Sequence, residues 1–215
     1  MSVMSGAELK DSLQRMKPEV YALGERVEDI TEHPFLKPAF ETRARFHDFM
    51  RNPKYKEQVT SISTLIPGEE IPNFVRLFDS AEYLVERFVA GRRLMRLFPA
   101  RWGGWADSVN AVWATTYDCD KKYGTKYHET FKEFLKYVHK NGLTCTMGQT
   151  DVKGDRSKRP IEQSDPDMFV HKVETRKDGI VVRGAKAHQT RTIHSHEILC
   201  MPTRRMREDE KDYSV

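Results

Sequence analysis

The sequence predicts an α+β chain, helical over residues 1–142 and built of short strands over residues 143–215. Three observations carry that division. Apolar residues recur at helical spacing through the first two thirds of the chain. Asn141-Gly142 supplies a left-handed helix stop. Beyond it the apolar runs become short, rich in Val, Ile and Thr, and alternating.

The helical part opens on Ser5 with Glu8 three residues later, the form of a capping box, and the helix it starts runs to about Met16 before Pro18 interrupts it. Pro34 and Pro38 break the chain again ahead of a helical stretch through Phe46, Phe49 and Met50. Ala81, Leu84, Val85, Phe88 and Met95 share one helical face, which the spacing assigns to the core. After the interruption from Pro99 to Gly104, a second helix carries Val109, Val112, Trp113, Thr116 and Tyr117 and stops near Gly124. A third carries Phe131, Phe134, Leu135 and Val138. Three aromatic-rich helices predict a bundle.

In the β part, Met168 to Thr175 and Ile180 to Ala187 read as two strands joined at Lys177-Asp178-Gly179. Ile193 to Met201 reads as a third strand and Leu143 to Met147 as a fourth. Between them lies a long polar loop, Gln149 to Asp167, of the kind that often carries function. So few strands would leave a face or an edge open unless other chain covered it.

Composition narrows the function classes. With 36 basic and 32 acidic residues the net charge is +4, and the basic clusters at Arg92-Arg93, Lys158-Arg159 and Arg204 to Arg207 are short and lie near acidic residues. That is unlike the dense basic stripe of a nucleic-acid-binding surface, so no nucleic-acid partner is expected. Cys119, Cys145 and Cys200 are odd in number and far apart, which suits reduced thiols in a cytoplasm. No apolar run approaches the roughly 20 residues of a membrane span, and residues 1–10 lack the pattern of a signal peptide. A cytoplasmic protein without a membrane partner is the expectation.

Two segments have the residue types for a bound cofactor. In the first, from Gln149 to Ser157, Gly154 permits close backbone approach, Lys153 and Arg156 offer charge-assisted donors to a pyrophosphate, and Thr150 and Ser157 add neutral hydrogen bonds. The same residues would also serve a solvated turn in which Asp151 and Asp155 pair with Lys153 and Arg156. In the second, the small residues of Gly184 to Ala187 end a strand and are followed by His188, Gln189 and Thr190, an arrangement that lets a flat ring lie against the backbone and be hydrogen-bonded at its edge. An ordinary polar loop would read the same way.

Several strings, in order, carry a resemblance. They are Asn110 to Tyr117, Asp120 to Thr125 with Tyr127-His128, Thr150-Asp151 with Lys153 to Ser157, Asp165 to Met168, Gly179 to Thr190, Ser195-His196-Glu197 and Met201-Pro202-Thr203. Together they span about half the chain and resemble the family of 4-hydroxyphenylacetate 3-hydroxylase and 4-hydroxybutyryl-CoA dehydratase. The resemblance implies an acyl-CoA dehydrogenase-like architecture. This chain would supply the N-terminal helical domain (1–142) and the first part of the middle β-barrel domain (143–215), without the C-terminal helical bundle. It implies FAD as cofactor, contacted by Gln149, Thr150, Asp151, Lys153, Gly154, Asp155 and Arg156 and by His188, Gln189 and Thr190. It also implies a substrate that is an acyl-CoA or a phenolic acid, and an oligomer in which another chain supplies the bundle.

The dehydratase branch holds an iron-sulfur cluster through cysteines that the resemblance places at Pro99 and Gly103, neither of which can ligate iron through a side chain. No cluster is therefore expected. Arg101 and Trp105 lie where the hydroxylase branch seats a phenol, and His128 is a further substrate-side polar group. No residue is identified as the catalytic base. His188, His194, His196 and Cys200 show no diagnostic ligand spacing, so no metal site is expected. The reading favoured is a flavin-binding enzyme subunit; the alternative is a non-catalytic paralogue that stabilises a complex.

Overall fold

The computed structural model describes residues 3–98 and 104–215. Within these the chain mixes helix and sheet, and it divides into two compact units, Met1–Thr144 with Ile193–Glu197, and Cys145–Thr192 with Ile198–Val215.

The first unit begins with α1 (Gly6–Met16), capped as the sequence predicts: the Ser5 hydroxyl accepts from the Glu8 N–H, and the Glu8 carboxylate accepts from the Ser5 N–H. Lys17 ends the helix in the left-handed conformation. A two-residue hairpin follows, β1 (Tyr21–Ala22) against β2 (Glu25–Arg26), and then α2 (Lys37–Arg51), with a proline in its first turn. Helix α2 buries Phe40, Arg43, Phe46, His47 and Met50, one continuous stripe at helical spacing. Two apolar clusters form around it. Leu9, Leu13, Val27, Ile30 and Phe40 make one, and Val3, Phe46, Met50, Val59 and Leu94 the other.

A single helical turn, α3 (Lys56–Val59), leads into a second short hairpin, β3 (Thr60–Ile62) with β4 (Glu70–Pro72). Both hairpins escape a pattern reading because strands of two or three residues are too short to show alternation.

Helix α4 (Ala81–Leu97) starts at Ser80, whose hydroxyl accepts from the Tyr83 N–H, and buries Tyr83, Ala90 and Leu94. This corrects the assignment from spacing. Val85, Phe88 and Met95 lie on the outward side, 64%, 67% and 54% exposed. The helix is apolar on two sides, and periodicity does not say which one a neighbour covers. Helices α5 (Gly104–Tyr123) and α6 (Tyr127–Asn141) pack together through Trp105 against Phe134 and through Trp113 and Tyr117 against His128. Asp120 joins their ends, its carboxylate accepting from the N–H groups of Tyr127 and His128 and from the Thr125 hydroxyl. Gly142 ends α6 at φ 58°, the left-handed stop that Asn141-Gly142 predicts.

In the second unit β5 (Cys145–Gly148) pairs with β8 (Glu197–Cys200), and β6 (His171–Thr175) pairs antiparallel with β7 (Ile180–Arg183) across a bulge between Lys172 and Glu174. An isolated antiparallel bridge joins Asp151 to Lys186. Among the described residues the strands form two-stranded sheets and no closed barrel. The strands are shorter than expected: β7 stops at Arg183 rather than Ala187, β5 begins at Cys145 rather than Leu143, and 3-10 turns take the starts of two others. Asp165 caps a 3-10 turn over Pro166–Met168 ahead of β6, and Thr192–His194 form another ahead of β8. The charged C-terminal run is folded: Glu210 is buried and takes the Arg159 guanidinium, with Nε at 2.9 Å, and Tyr213 stacks on His171 at 5.0 Å. No described helix is long and apolar enough to cross a membrane.

Candidate functional site

The two segments singled out for a cofactor lie side by side in the second unit. Their junction is the Thr150 carbonyl, which accepts from the Ala187 N–H at 2.8 Å and from Gln189 Nε2 at 2.9 Å. His188 sits at φ 55° and Arg191 at φ 67°, so the chain turns sharply on either side of Gln189 and Thr190. Thr190 is fixed through its carbonyl, which accepts from the Thr146 hydroxyl at 2.9 Å.

The loop forms one wall of a cleft of ≈ 360 Å³ lined by Gln149, Thr150, Asp151, Lys153, Arg156 and Arg204, with Val152, Phe169 and Thr203 also in its wall. Lys153 and Arg156 are exposed and make no ion pair among the described residues. The turn in which the loop's acids pair with these two cations is therefore absent. Asp151 instead forms a buried ion pair with Lys186 and accepts from the Thr203 hydroxyl. Asp155 accepts from the N–H and hydroxyl of Ser157, at 2.9 and 2.6 Å, and those bonds hold its carboxyl below the usual carboxylate range. Gly154 takes φ 47°, a left-handed conformation that strains any other side chain, while the atoms a Cβ would meet belong to the flexible Gln163 and Met168 side chains.

These residues fit a phosphorylated, ring-bearing cofactor. Lys153 and Arg156 are unpaired cations on the cleft wall, Thr150 adds a hydroxyl, and the buried aspartate beside them is already neutralised by Lys186. A diphosphate meets net positive charge there. Asp151 and Arg204 illustrate what residue-type reasoning misses: the ion-pair partner of Asp151 lies 35 residues away, and Arg204 comes from a segment noted only as a short basic cluster.

Trp105 and His128, expected on the substrate side, lie in the first unit. Arg101 falls outside the described residues, as do Pro99 and Gly103. Trp105 is buried, and its indole N–H has no hydrogen-bond partner among the described residues. His128 is half-buried between Trp113 and Tyr117, with Nδ1 3.1 Å from the Thr116 hydroxyl. Of the histidines considered for a metal, two are held by other bonds. His194 Nε2 faces the Ile30 carbonyl, while His196 lies between Thr144 and Ser12. No group of three or more potential metal ligands gathers among the described residues.

Comparison with known proteins agrees with the resemblance. The family described as 4-hydroxyphenylacetate 3-hydroxylase N terminal matches residues 5–215. A 4-hydroxybutyryl-CoA dehydratase/vinylacetyl-CoA-Delta-isomerase of Clostridium aminobutyricum is 41% identical over 99% of this chain and 44% of its own length. The structure of an oxygen-tolerant archaeal 4-hydroxybutyryl-CoA dehydratase from N. maritimus superposes with a TM-score of 0.92 at 36% identity, covering 99% of this chain and 42% of that one. The oxygenase component of 4-hydroxyphenylacetate 3-monooxygenase, solved with FAD and 4-hydroxyphenylacetate, shares the fold at a TM-score of 0.77 and 24% identity, over 99% of this chain and 44% of that one. The chain thus spans less than half the length of the relatives it matches. On the family match and the 41% identity together, it belongs to the family of the 4-hydroxyphenylacetate 3-hydroxylase N-terminal region.

Proposed function

We propose that this chain is a flavin-binding portion of an enzyme of that family, holding FAD between the Gln149–Arg156 loop and the His188–Thr190 segment. The observation that carries the reading is that two segments distant in sequence meet at the Thr150 carbonyl, next to a cleft whose wall carries two cations that no acid among the described residues neutralises. That a solved protein of this fold holds FAD supports it. Lys153 and Arg156 would hold the diphosphate; the Thr150 hydroxyl, His188 and Thr190 would face the ring system, with Gln189 fixing the turn between them. FAD would supply electron transfer to and from an acyl-CoA or a phenolic acid, and the protein's part is to orient it and set its surroundings. Gln149, Asp151, Gly154 and Asp155 shape the loop that does so, while Arg101, Trp105 and His128 remain the proposed substrate side. No cluster is proposed, because Pro99 and Gly103 offer iron no ligand.

Arg156→Ala is expected to weaken FAD retention about tenfold through loss of one charge-assisted contact. Flavin fluorescence titration checks this, and an unchanged dissociation constant in a variant of a flavin-binding parent would remove the loop from the site.

The proposed division of the chain, a helical domain over 1–142 and the first part of a β domain over 143–215, goes with an oligomer in which other chain covers the surfaces these residues leave exposed. Two exposed apolar surfaces support this. One is the outward face of α4 with Val85, Phe88 and Met95; the other includes Val173, Ile180 and Val182 on β6 and β7. Sedimentation of the purified chain should show an oligomer, either with itself or on coexpression with such a partner. A flavin-saturated monomer with one sharp cooperative melt would overturn the proposal.

A further inference from the structure

We propose that Arg204 is a third diphosphate ligand of the cleft, and that the buried Asp151–Lys186 pair, with the Thr203 hydroxyl bonded to it, is the latch that positions it. The inference rests on the reading of the cleft as a flavin site and extends it to residues outside the two segments that define that site.

The latch is fully satisfied. An ammonium has three N–H donors, and Lys186 Nζ has three acceptors: the Asp151 carboxylate, the Met201 carbonyl at 2.7 Å and the Gln149 carbonyl at 3.4 Å. The other Asp151 oxygen accepts from the Thr203 hydroxyl. Both charged side chains are only 8% exposed. A buried pair so completely bonded tolerates little displacement of either partner, because any loosening leaves a charge in a poorly solvated place.

What the latch joins gives it a role beyond stability. Through Asp151 and the Gln149 carbonyl it grips the cofactor loop. Through Lys186 it grips the end of the stretch that continues into His188, Gln189 and Thr190. Through Met201 and Thr203 it grips the chain that leaves β8, and the next residue is Arg204. That guanidinium lines the cleft, lies 5.9 Å above the Phe169 ring and donates to the Lys158 carbonyl at 3.3 Å. It has no carboxylate partner among the described residues. Lys153, Arg156 and Arg204 thus present three cations to one cleft from two separate stretches of chain, and the latch is the covalently remote link between those stretches. A planar guanidinium held in place suits phosphate oxygens better than a free lysine does.

Three probes test this on the full chain: FAD, riboflavin, which lacks the diphosphate, and inorganic pyrophosphate. Arg204→Gln should weaken FAD and pyrophosphate about tenfold and leave riboflavin within about twofold. The paired variant Asp151→Leu/Lys186→Met removes both buried charges together. It should melt cooperatively yet lose the preference for FAD over riboflavin, which a purely structural role would not alter. If the pair does not fold, Thr203→Val reads the same preference from a smaller change. Retention of the FAD-to-riboflavin ratio in Arg204→Gln overturns the third ligand, and retention in the folded latch variant overturns the latch. If the parent binds neither flavin, the flavin reading fails by itself. Pyrophosphate then decides: binding lost in Arg204→Gln upholds the cradle, and no binding at millimolar concentration refutes it.

Discussion

Acidification from pH 7 to pH 4.5 is expected to destabilise the helical unit severely, because four buried or half-buried histidines there are held neutral by their surroundings. His47 is the clearest. Burial, and then the charge of Arg43, push its pKa down to about 3, while Nδ1 donates to the Met4 carbonyl at 3.0 Å. In the unfolded chain it titrates near 6.5. Between those values the unfolded state binds a proton that the folded state refuses, so stability falls as pH falls through that window. From His47 alone the loss by pH 4.5 is about 2–3 kcal/mol, a large part of a typical domain's margin.

The other three histidines act in the same direction. Burial lowers the pKa of His139, His194 and His196. The hydrogen bonds explain why protonation is resisted. His196 Nδ1 accepts from the Thr144 N–H at 3.0 Å, so a proton on that nitrogen would break the bond. His139 Nε2 donates to the Val75 carbonyl at 3.0 Å, which leaves Nδ1 to accept from Ser63, at 2.9 Å. Trp105 and Trp113 belong to this unit, so their fluorescence follows its unfolding in urea. The midpoint should drop steadily between pH 7 and pH 4.5, and His47→Gln should flatten the dependence. A midpoint constant over that range would show the histidines to be solvated.

Much of this architecture was legible where a local rule decides. Ser5 and Glu8 announced a capping box, Gly142 a helix stop and Lys177-Asp178-Gly179 a hairpin turn, and each depends only on residues within a few positions of it. Helix α4 shows where the rules end. Its apolar spacing was visible, but Tyr83, Ala90 and Leu94 are the buried side, and only tertiary packing selects them over Val85, Phe88 and Met95. At the candidate site the loop's residue types were readable and their partners were not. Asp151 lines the cleft, and its partners Lys186 and Thr203 lie at separations no periodic pattern encodes. Arg159 and Glu210 join the ends of the second unit in the same unannounced way.

Gly184→Ala is expected to cost about 3–5 kcal/mol and to abolish the ordered cleft, since backbone strain and overpacking fall on one residue. Gly184 sits at φ 134°, where a side chain is strained whatever space surrounds it. There is also no space. A Cβ would lie 2.6 Å from the carbonyl carbon of Phe169 and 2.6 Å from Val170 Cα, both backbone atoms that cannot swing aside. Phe169 is buried and lines the cleft, so the displacement reaches the proposed cofactor site directly. Gly179→Ala is the control: nothing lies within 4 Å of a Cβ there, and its change should stay within about 1 kcal/mol. Hydrogen exchange followed by mass spectrometry separates the two variants. In Gly184→Ala, amides of β6 and β7 should lose most of their protection and FAD binding should vanish, whereas Gly179→Ala should keep both. Parent-like protection in Gly184→Ala would mean that the Phe169–Val170 backbone yields at little cost, and that the close approach of the two chain segments is no constraint on the site.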